Sequence, residues 1–316
     1  MTTSFAPCGL VVGHATDADG ATGCTVVRGE GRPFRCAAHV LGRATGTREL
    51  ALLDPAHLVD RVDAILLAGG SAYGLDAAAG VMQWMEAHER GFAVGAGVVP
   101  IVPAAVVFDL APLGRFDARP TPQMGHDACA QATHAPAEGS VGAGTGATVG
   151  KAAGPGSAMK GGLGLGAADA GDVTVRALAV VNAVGDVRDA SGRIIAGART
   201  PNGEWLDSAQ WMARGAGEPQ RFDSVAGHNT TLCVVSTNIA LDRVALGAVA
   251  RAASAALFRR ITPVGTSFDG DVIFATAPTA SEVSAPAAQV EALAVEALET
   301  AIERAVRTRR PGDVLS

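Results

Sequence analysis

The sequence predicts an α/β protein whose mixed β-sheets carry helices on their outer faces. Three observations lead there. Short β-branched apolar runs interleave with longer stretches of 3.6-residue periodicity along the chain. The strands of the first 70 residues follow one another at short spacing with no helix between them, which is not the pattern of a doubly wound parallel sheet. Hydrophobic residues make up 48% of the 316 and charged residues 18%, a balance that sustains a large core and argues against disorder.

The elements follow in order. "GLVVGHA", "GCTVVRG", "FRCAAHVL" and "DAILLAGGSA" read as short strands divided by turns such as Asp19-Gly20. "SAYGLDAAAGVMQWMEAHERG" reads as a helix, with Ser71 able to cap it and Gly91 after its end. "VVPIVPAAVVFDL" is strand-like with prolines at its edges. Residues 139–166 form a glycine-rich centre, and "VTVRALAVVNAVGDV" after it reads as a buried strand. Residues 197–229 are polar and aperiodic, the one stretch with linker character. A strand "TTLCVVSTNIA", a helix capped by Asp242, a strand or hairpin around "TSFDGDVIFATAP" and an amphipathic helix over 286–307 complete the chain.

Composition excludes some functions. A net charge of −6 is wrong for a nucleic-acid surface, which needs a basic face. No run of 18 apolar residues predicts a membrane span, and no leader pattern opens the chain. The five cysteines are odd in number and lack C-x-x-C spacing, which predicts a reduced, cytoplasmic protein with inert thiols. Only two lysines, Lys151 and Lys160, stand against 23 arginines, so either is a candidate for more than surface charge.

The glycine-rich centre invites a nucleotide-binding reading, since "GAGTGA" fits G-x-G-x-x-A. Its context argues otherwise: several elements precede it, and "TVGKAAGPG" after it would break a helix. Close backbone approach to another group suits these glycines better, and Lys151 within the loop could polarise a substrate. There is no G-x-S-x-G elbow and no H-E-x-x-H or paired-cysteine pattern, so neither a metal nor another cofactor is expected. Asp269 and Asp271 in "SFDGDVIF" read either as an Asp-Gly hairpin or as two carboxylates at a strand tip.

The stretch "HNTTLCVVSTN" puts an asparagine and two threonines ahead of a buried strand. Were the Asn229–Thr230 bond cut, Thr230 would gain an α-amine, of unperturbed pKa near ~8, able to act as base for its own hydroxyl. The same hydroxyl could perform the cut by an N-to-O acyl shift followed by hydrolysis of the ester. Thr230 and Thr231 point to opposite faces of a strand, so only one can serve; pattern alone leaves the choice open.

Together, "GLVVGHATD…TGCTVV", "LLAGGSAYGLDAA", "GAGTGATVGK", "AVVNAVGDV", "NTTLCVVSTN" and "DGDVIFA" resemble the DmpA/P1 family of self-processing aminopeptidases, peptidase family S58, which includes β-peptidyl aminopeptidases and nylon-oligomer hydrolases. The Asn-Thr junction and Asp-Gly-Asp motif are similar to the nylon-hydrolase branch. The resemblance implies a four-layer αββα sandwich of N-terminal-nucleophile-hydrolase type. It implies one domain over 1–316, cut at Asn229–Thr230 into chains 1–229 and 230–316 that stay together as a homo-oligomer. It implies Thr230 as nucleophile, Asn182 at the oxyanion, Lys151 nearby, and Asp269 and Asp271 holding the nucleophile and its amine. Ser71 and Tyr73 would line the pocket for a short, amine-bearing peptide or amide. A non-catalytic binding protein of the same fold is the competing expectation, and a nucleotide-dependent enzyme is a third.

Overall fold

A computed structural model describes residues 3–215 and 229–308. In chain order the principal elements are β1 (Leu10–Asp17), β2 (Thr22–Gly29), β3 (Arg35–Val40), β4 (Gly46–Arg48), β5 (Ala64–Ala68), α1 (Ala77–Ala87), β6 (Ala104–Val106), α2 (Pro122–Ala130), β7 (Gly162–Ala170), β8 (Val173–Asn182), α3 (Ser208–Ala213), β9 (Thr230–Thr237), α4 (Arg243–Arg260), β10 (Val272–Ala277) and α5 (Ala287–Arg307). Two five-stranded sheets result, one ordered β1-β2-β5-β6-β4 and the other β7-β8-β9-β10-β3.

Side-chain alternation sorts these strands into four layers. Val12, Val27, Ile65 and Leu67 of the first sheet face Leu163, Leu178, Val180, Leu232, Val234 and Phe274 of the second in a shared inner core. On its outer face the first sheet turns Cys24, Val26, Leu66 and Ala68 against Ala77, Val81 and Met85 of α1 and Ala128 and Cys129 of α2. The second sheet turns Val175, Ala177, Cys233, Val235 and Ile273 against α4 and α5. The order of layers is therefore helix, sheet, sheet, helix, as the resemblance implies. All five cysteines are free and buried. No described helix is long and apolar enough to cross a membrane.

The glycine-rich centre holds a strand that local propensity hides. A Cβ at Gly162, Gly164 or Gly166 would sit 2.5, 2.1 or 1.8 Å from the carbonyl oxygen of Ala305, Ala301 or Ala297. Alternate residues of β7 thus meet successive turns of α5, and glycine lets helix and strand backbones touch. Gly142–Gly144 is a short 3₁₀ turn followed by extended backbone, not the strand–turn–helix of a dinucleotide site.

Other expectations shift as well. Ser71 does not cap a helix. Its φ is +52°, it makes no capping bond, and Ser71–Asp76 is a 3₁₀ turn ahead of α1. Asp242 does cap α4, accepting from the Ala245 amide at 2.8 Å. Asp269-Gly270-Asp271 is no hairpin. The connection from β9 through α4 to β10 makes those strands parallel, and β10 pairs antiparallel with β3 on its other side. Within 197–229, α3 breaks the linker pattern; residues 216–228 of that stretch lie outside the described residues.

Candidate active site

The topology brings three strand ends together. β8 runs antiparallel to β9, and β9 parallel to β10, so the last residue of β8 and the first residues of β9 and β10 share one end of the sheet. Asn182 closes β8 directly opposite Thr230, which opens β9. Asp269-Gly270-Asp271 leads into β10, and Asp269 forms a parallel bridge with Asn229.

The Asn229–Thr230 peptide is held from two sides. The Thr230 hydroxyl donates to the Asn229 carbonyl oxygen at 2.6 Å. The Gly270 amide donates to the same oxygen at 2.9 Å. A Cβ on Gly270 would lie 2.7 Å from Thr230 Oγ1 and 2.6 Å from the Ala44 carbonyl oxygen, so glycine is needed for the hydroxyl to sit there. The sequence expectation took this glycine for turn chemistry and missed its amide as a donor to the junction.

Asn182 is fully buried and its amide is orientated at both ends. Its Nδ2 donates to the Phe108 carbonyl at 3.0 Å. Its Oδ1 accepts from Lys151 Nζ at 2.8 Å and from the Thr148 amide at 3.0 Å. Lys151, 3% exposed, also donates to the carbonyls of Thr148 and Asn182. Burial pulls the Lys151 ammonium down to about 7, against a smaller opposing effect of Asp269. A lysine titrating there can donate or accept a proton near neutral pH. Thr148 and Phe108 act through backbone groups, which residue type does not reveal.

The two carboxylates do not form the pincer expected around Thr230. Asp269 Oδ2 accepts from the Thr266 amide at 2.7 Å, and Asp271 Oδ1 from the Thr231 amide at 2.6 Å. Thr231 belongs to the outer face with Cys233 and Val235, while Thr230 shares the inner face with Leu232 and Val234. Asp271 thus pins the backbone beside Thr230, and Asp269 and Lys151 feel each other's charge. Both carboxyls are raised, Asp269 against the opposing pull of the Lys151 charge. Burial dominates in each, and the neighbouring Asp269 charge adds to it in lifting Asp271 to about 7.

Tyr73 is half exposed and lines a surface cavity of about 680 Å³ with Arg48, Asp76 and Arg119. Arg119 stacks on its ring, 3.5 Å from the centroid. Ser71 is held by its backbone amide to Val107. Neither side chain is hydrogen-bonded to the Thr230 cluster. Among the described residues no three His, Cys, Asp or Glu side chains cluster as metal ligands would.

Comparison with known proteins places this geometry in context. A family model described as Peptidase family S58 matches residues 8–310. An uncharacterized aminopeptidase of Mycobacterium tuberculosis is 44% identical over 264 residues, 81% of this chain and 73% of the relative. A 6-aminohexanoate-oligomer endohydrolase of Paenarthrobacter ureafaciens is 30% identical over 295 residues, 88% and 75% of the two chains. Among solved structures, the L-aminopeptidase D-Ala-esterase/amidase of Ochrobactrum anthropi, described as a variant of the Ntn hydrolase fold, aligns with TM-score 0.69 at 17% identity, covering 96% of this chain and 86% of the other. A Burkholderia sp. beta-aminopeptidase aligns with TM-score 0.64 at 23% identity, covering 94% and 84%.

Proposed function

This chain belongs to peptidase family S58 and is a hydrolase of peptide or amide bonds, and from that premise we propose that it matures by cutting its own Asn229–Thr230 bond and then uses Thr230 as an N-terminal nucleophile. The observation that carries the reading is the junction itself: the Thr230 hydroxyl and the Gly270 amide both meet the Asn229 carbonyl oxygen.

In maturation, Thr230 Oγ attacks the Asn229 carbonyl carbon, and Gly270 N–H supports the negative charge that gathers on the oxygen. The C–N bond breaks, the hydroxyl proton passes to the departing nitrogen, and an ester joins Asn229 to Thr230 Oγ. Water hydrolyses that ester, leaving the Asn229 carboxylate and a free Thr230 amine. In turnover the amine takes the hydroxyl proton as Oγ attacks a substrate amide. Asn182 Nδ2 and Gly270 N–H provide donors for the oxyanion, the protonated amine then protonates the leaving group, and water hydrolyses the resulting Thr230 ester to release the carboxylate and restore the hydroxyl. Lys151 sets the Asn182 amide with its oxygen turned away from that charge.

Short amides bearing a free amine are the proposed substrates: N-terminal peptides, β-peptides or aminohexanoate oligomers. The relatives named for aminopeptidase and oligomer-hydrolase activity support that class. We place the enzyme in the cytoplasm, a reading supported by five unpaired buried thiols. We also read it as a homo-oligomer, supported by the exposed apolar side chains Val244 and Phe258 of α4. Assaying aminoacyl amides, β-peptides and aminohexanoate oligomers with the natural chain and with Thr230→Ala tests the function. Hydrolysis by the first and none by the second is expected; equal hydrolysis by both would remove Thr230 from the mechanism.

A further inference from the structure

The second lysine is unused by the site just described. Lys160 is buried, and its ammonium donates to three carbonyl oxygens, those of Gly144 at 2.9 Å, Gly161 at 3.1 Å and Ala147 at 3.2 Å. It thereby ties together the glycine-rich loop that carries Thr148 and Lys151. A buried cation is costly, and here carbonyl dipoles compensate it.

Asp109, only 1% exposed, packs against the same glycine-rich loop at Gly146. One Asp109 oxygen accepts from the Gly70 amide at 2.6 Å and the other from the Thr22 hydroxyl at 2.7 Å. Burial raises this carboxyl to about 6, while the Lys160 charge acts in the opposite sense. The surroundings are moulded to it. A Cβ at Gly69 would lie 2.0 Å from Asp109 Oδ2, and one at Gly146 would lie 2.6 Å from Asp109 Cβ. Asp109 therefore ties the start of β2 to the loop after β5, and the glycine-rich loop packs against its side chain at Gly146.

Both ends of the Asn182 amide hang from this arrangement. The Phe108 carbonyl, which receives Asn182 Nδ2, immediately precedes Asp109. The Thr148 amide, which holds Asn182 Oδ1, immediately follows Ala147, whose carbonyl Lys160 grips. We propose that Asp109 and Lys160 are positioning residues for amide hydrolysis, each holding one of the two backbone segments that preset the Asn182 amide toward the oxyanion. The proposal rests on Asn182 serving the oxyanion in the function proposed above. A displacement of about 1 Å in such a donor costs on the order of 100-fold in rate.

The test removes both charges together, as Asp109→Asn with Lys160→Met, so that no buried ion is left unpaired. With an aminoacyl p-nitroanilide as substrate, kcat falls about 100-fold while KM stays within about threefold. In an Asn182→Ala background the same pair of substitutions changes kcat less than about threefold, because the amide they position is gone. An unchanged kcat, or an equal loss in both backgrounds, would overturn the proposal, the second outcome marking a merely structural pair. Should the double variant not fold, Thr22→Val carries the same cycle, with a smaller loss expected that again vanishes in the Asn182→Ala background; a loss that persists there refutes the proposal. A wild-type chain that hydrolyses nothing would sink the proposed function instead. A crystal structure of the charge-free variant then still decides the positioning: a displaced Asn182 amide supports it and an unmoved one refutes it.

Discussion

Gly270→Ala is the sharpest single perturbation of the junction. The backbone conformation there is open to alanine, since Gly270 is not among the positive-φ residues. The added methyl would meet Thr230 Oγ1 at 2.7 Å and the Ala44 carbonyl oxygen at 2.6 Å, ~0.7 Å inside an ordinary contact. The Ala44 oxygen is backbone, and the Ala44 amide is tied to the Asp269 carbonyl at 2.9 Å, so the strain falls on the threonine hydroxyl. Displacing a nucleophile by most of an ångström costs on the order of 100-fold in rate. Overpacking of this kind costs about 1–3 kcal/mol of stability, so the fold survives with a Tm lower by several degrees. The assay is a time course of the uncut chain by gel and intact mass, beside a thermal melt. Processing at the wild-type rate in a folded Gly270→Ala protein would refute the placement of the hydroxyl against Gly270.

Further outcomes follow from the same geometry. Asn182→Ala lowers kcat about 100- to 1,000-fold with a smaller change in KM; steady-state kinetics check this, and a pure KM effect would place Asn182 in binding alone. Thr230→Ser keeps both processing and turnover, measured by mass and hydrolysis, because the hydroxyl and amine remain; Thr231→Ser leaves processing unaltered, because that side chain faces the opposite layer. The uncut Thr230→Ala protein has a stability minimum near neutral pH, read from its Tm between pH 4 and 10. Asp271 is raised, so its contribution is full below ~3.8 and is lost as pH rises through about 7. Lys151 is lowered, so its contribution is full above ~10.5 and is lost as pH falls through about 7. Asp271→Asn should flatten the acid side of that minimum and Lys151→Met the basic side; an unchanged profile in both would mean neither group is as buried as the structure has it.

The parts of this fold legible in the sequence are those written in local chemistry. The strand after Asn229, the Asp242 cap and the apolar stripe of α5 each follow from residue type and period. What escaped depends on distant partners. β7 reads as a glycine-rich loop because its glycines answer to carbonyls of α5, more than 130 residues away. Asp-Gly-Asp leaves a hairpin and a strand tip both open because parallel pairing through α4 leaves no local mark. Within the site, side chains were found where their chemistry is unusual for their surroundings, as with Lys151 among glycines. Backbone donors and acceptors at Gly270, Thr148 and Phe108 carry no such signal. The roles of Asp269 and Asp271 are legible only as a pair, because the sequence does not say which backbone amide each one accepts from.

The claim on which the account turns is the identity of the new N-terminus. N-terminal sequencing and intact mass of the purified protein measure it directly. The account requires a second chain beginning Thr230-Thr231-Leu232, absent from Thr230→Ala. A chain that stays whole while hydrolysing amides, or one cut between Thr230 and Thr231, would contradict it.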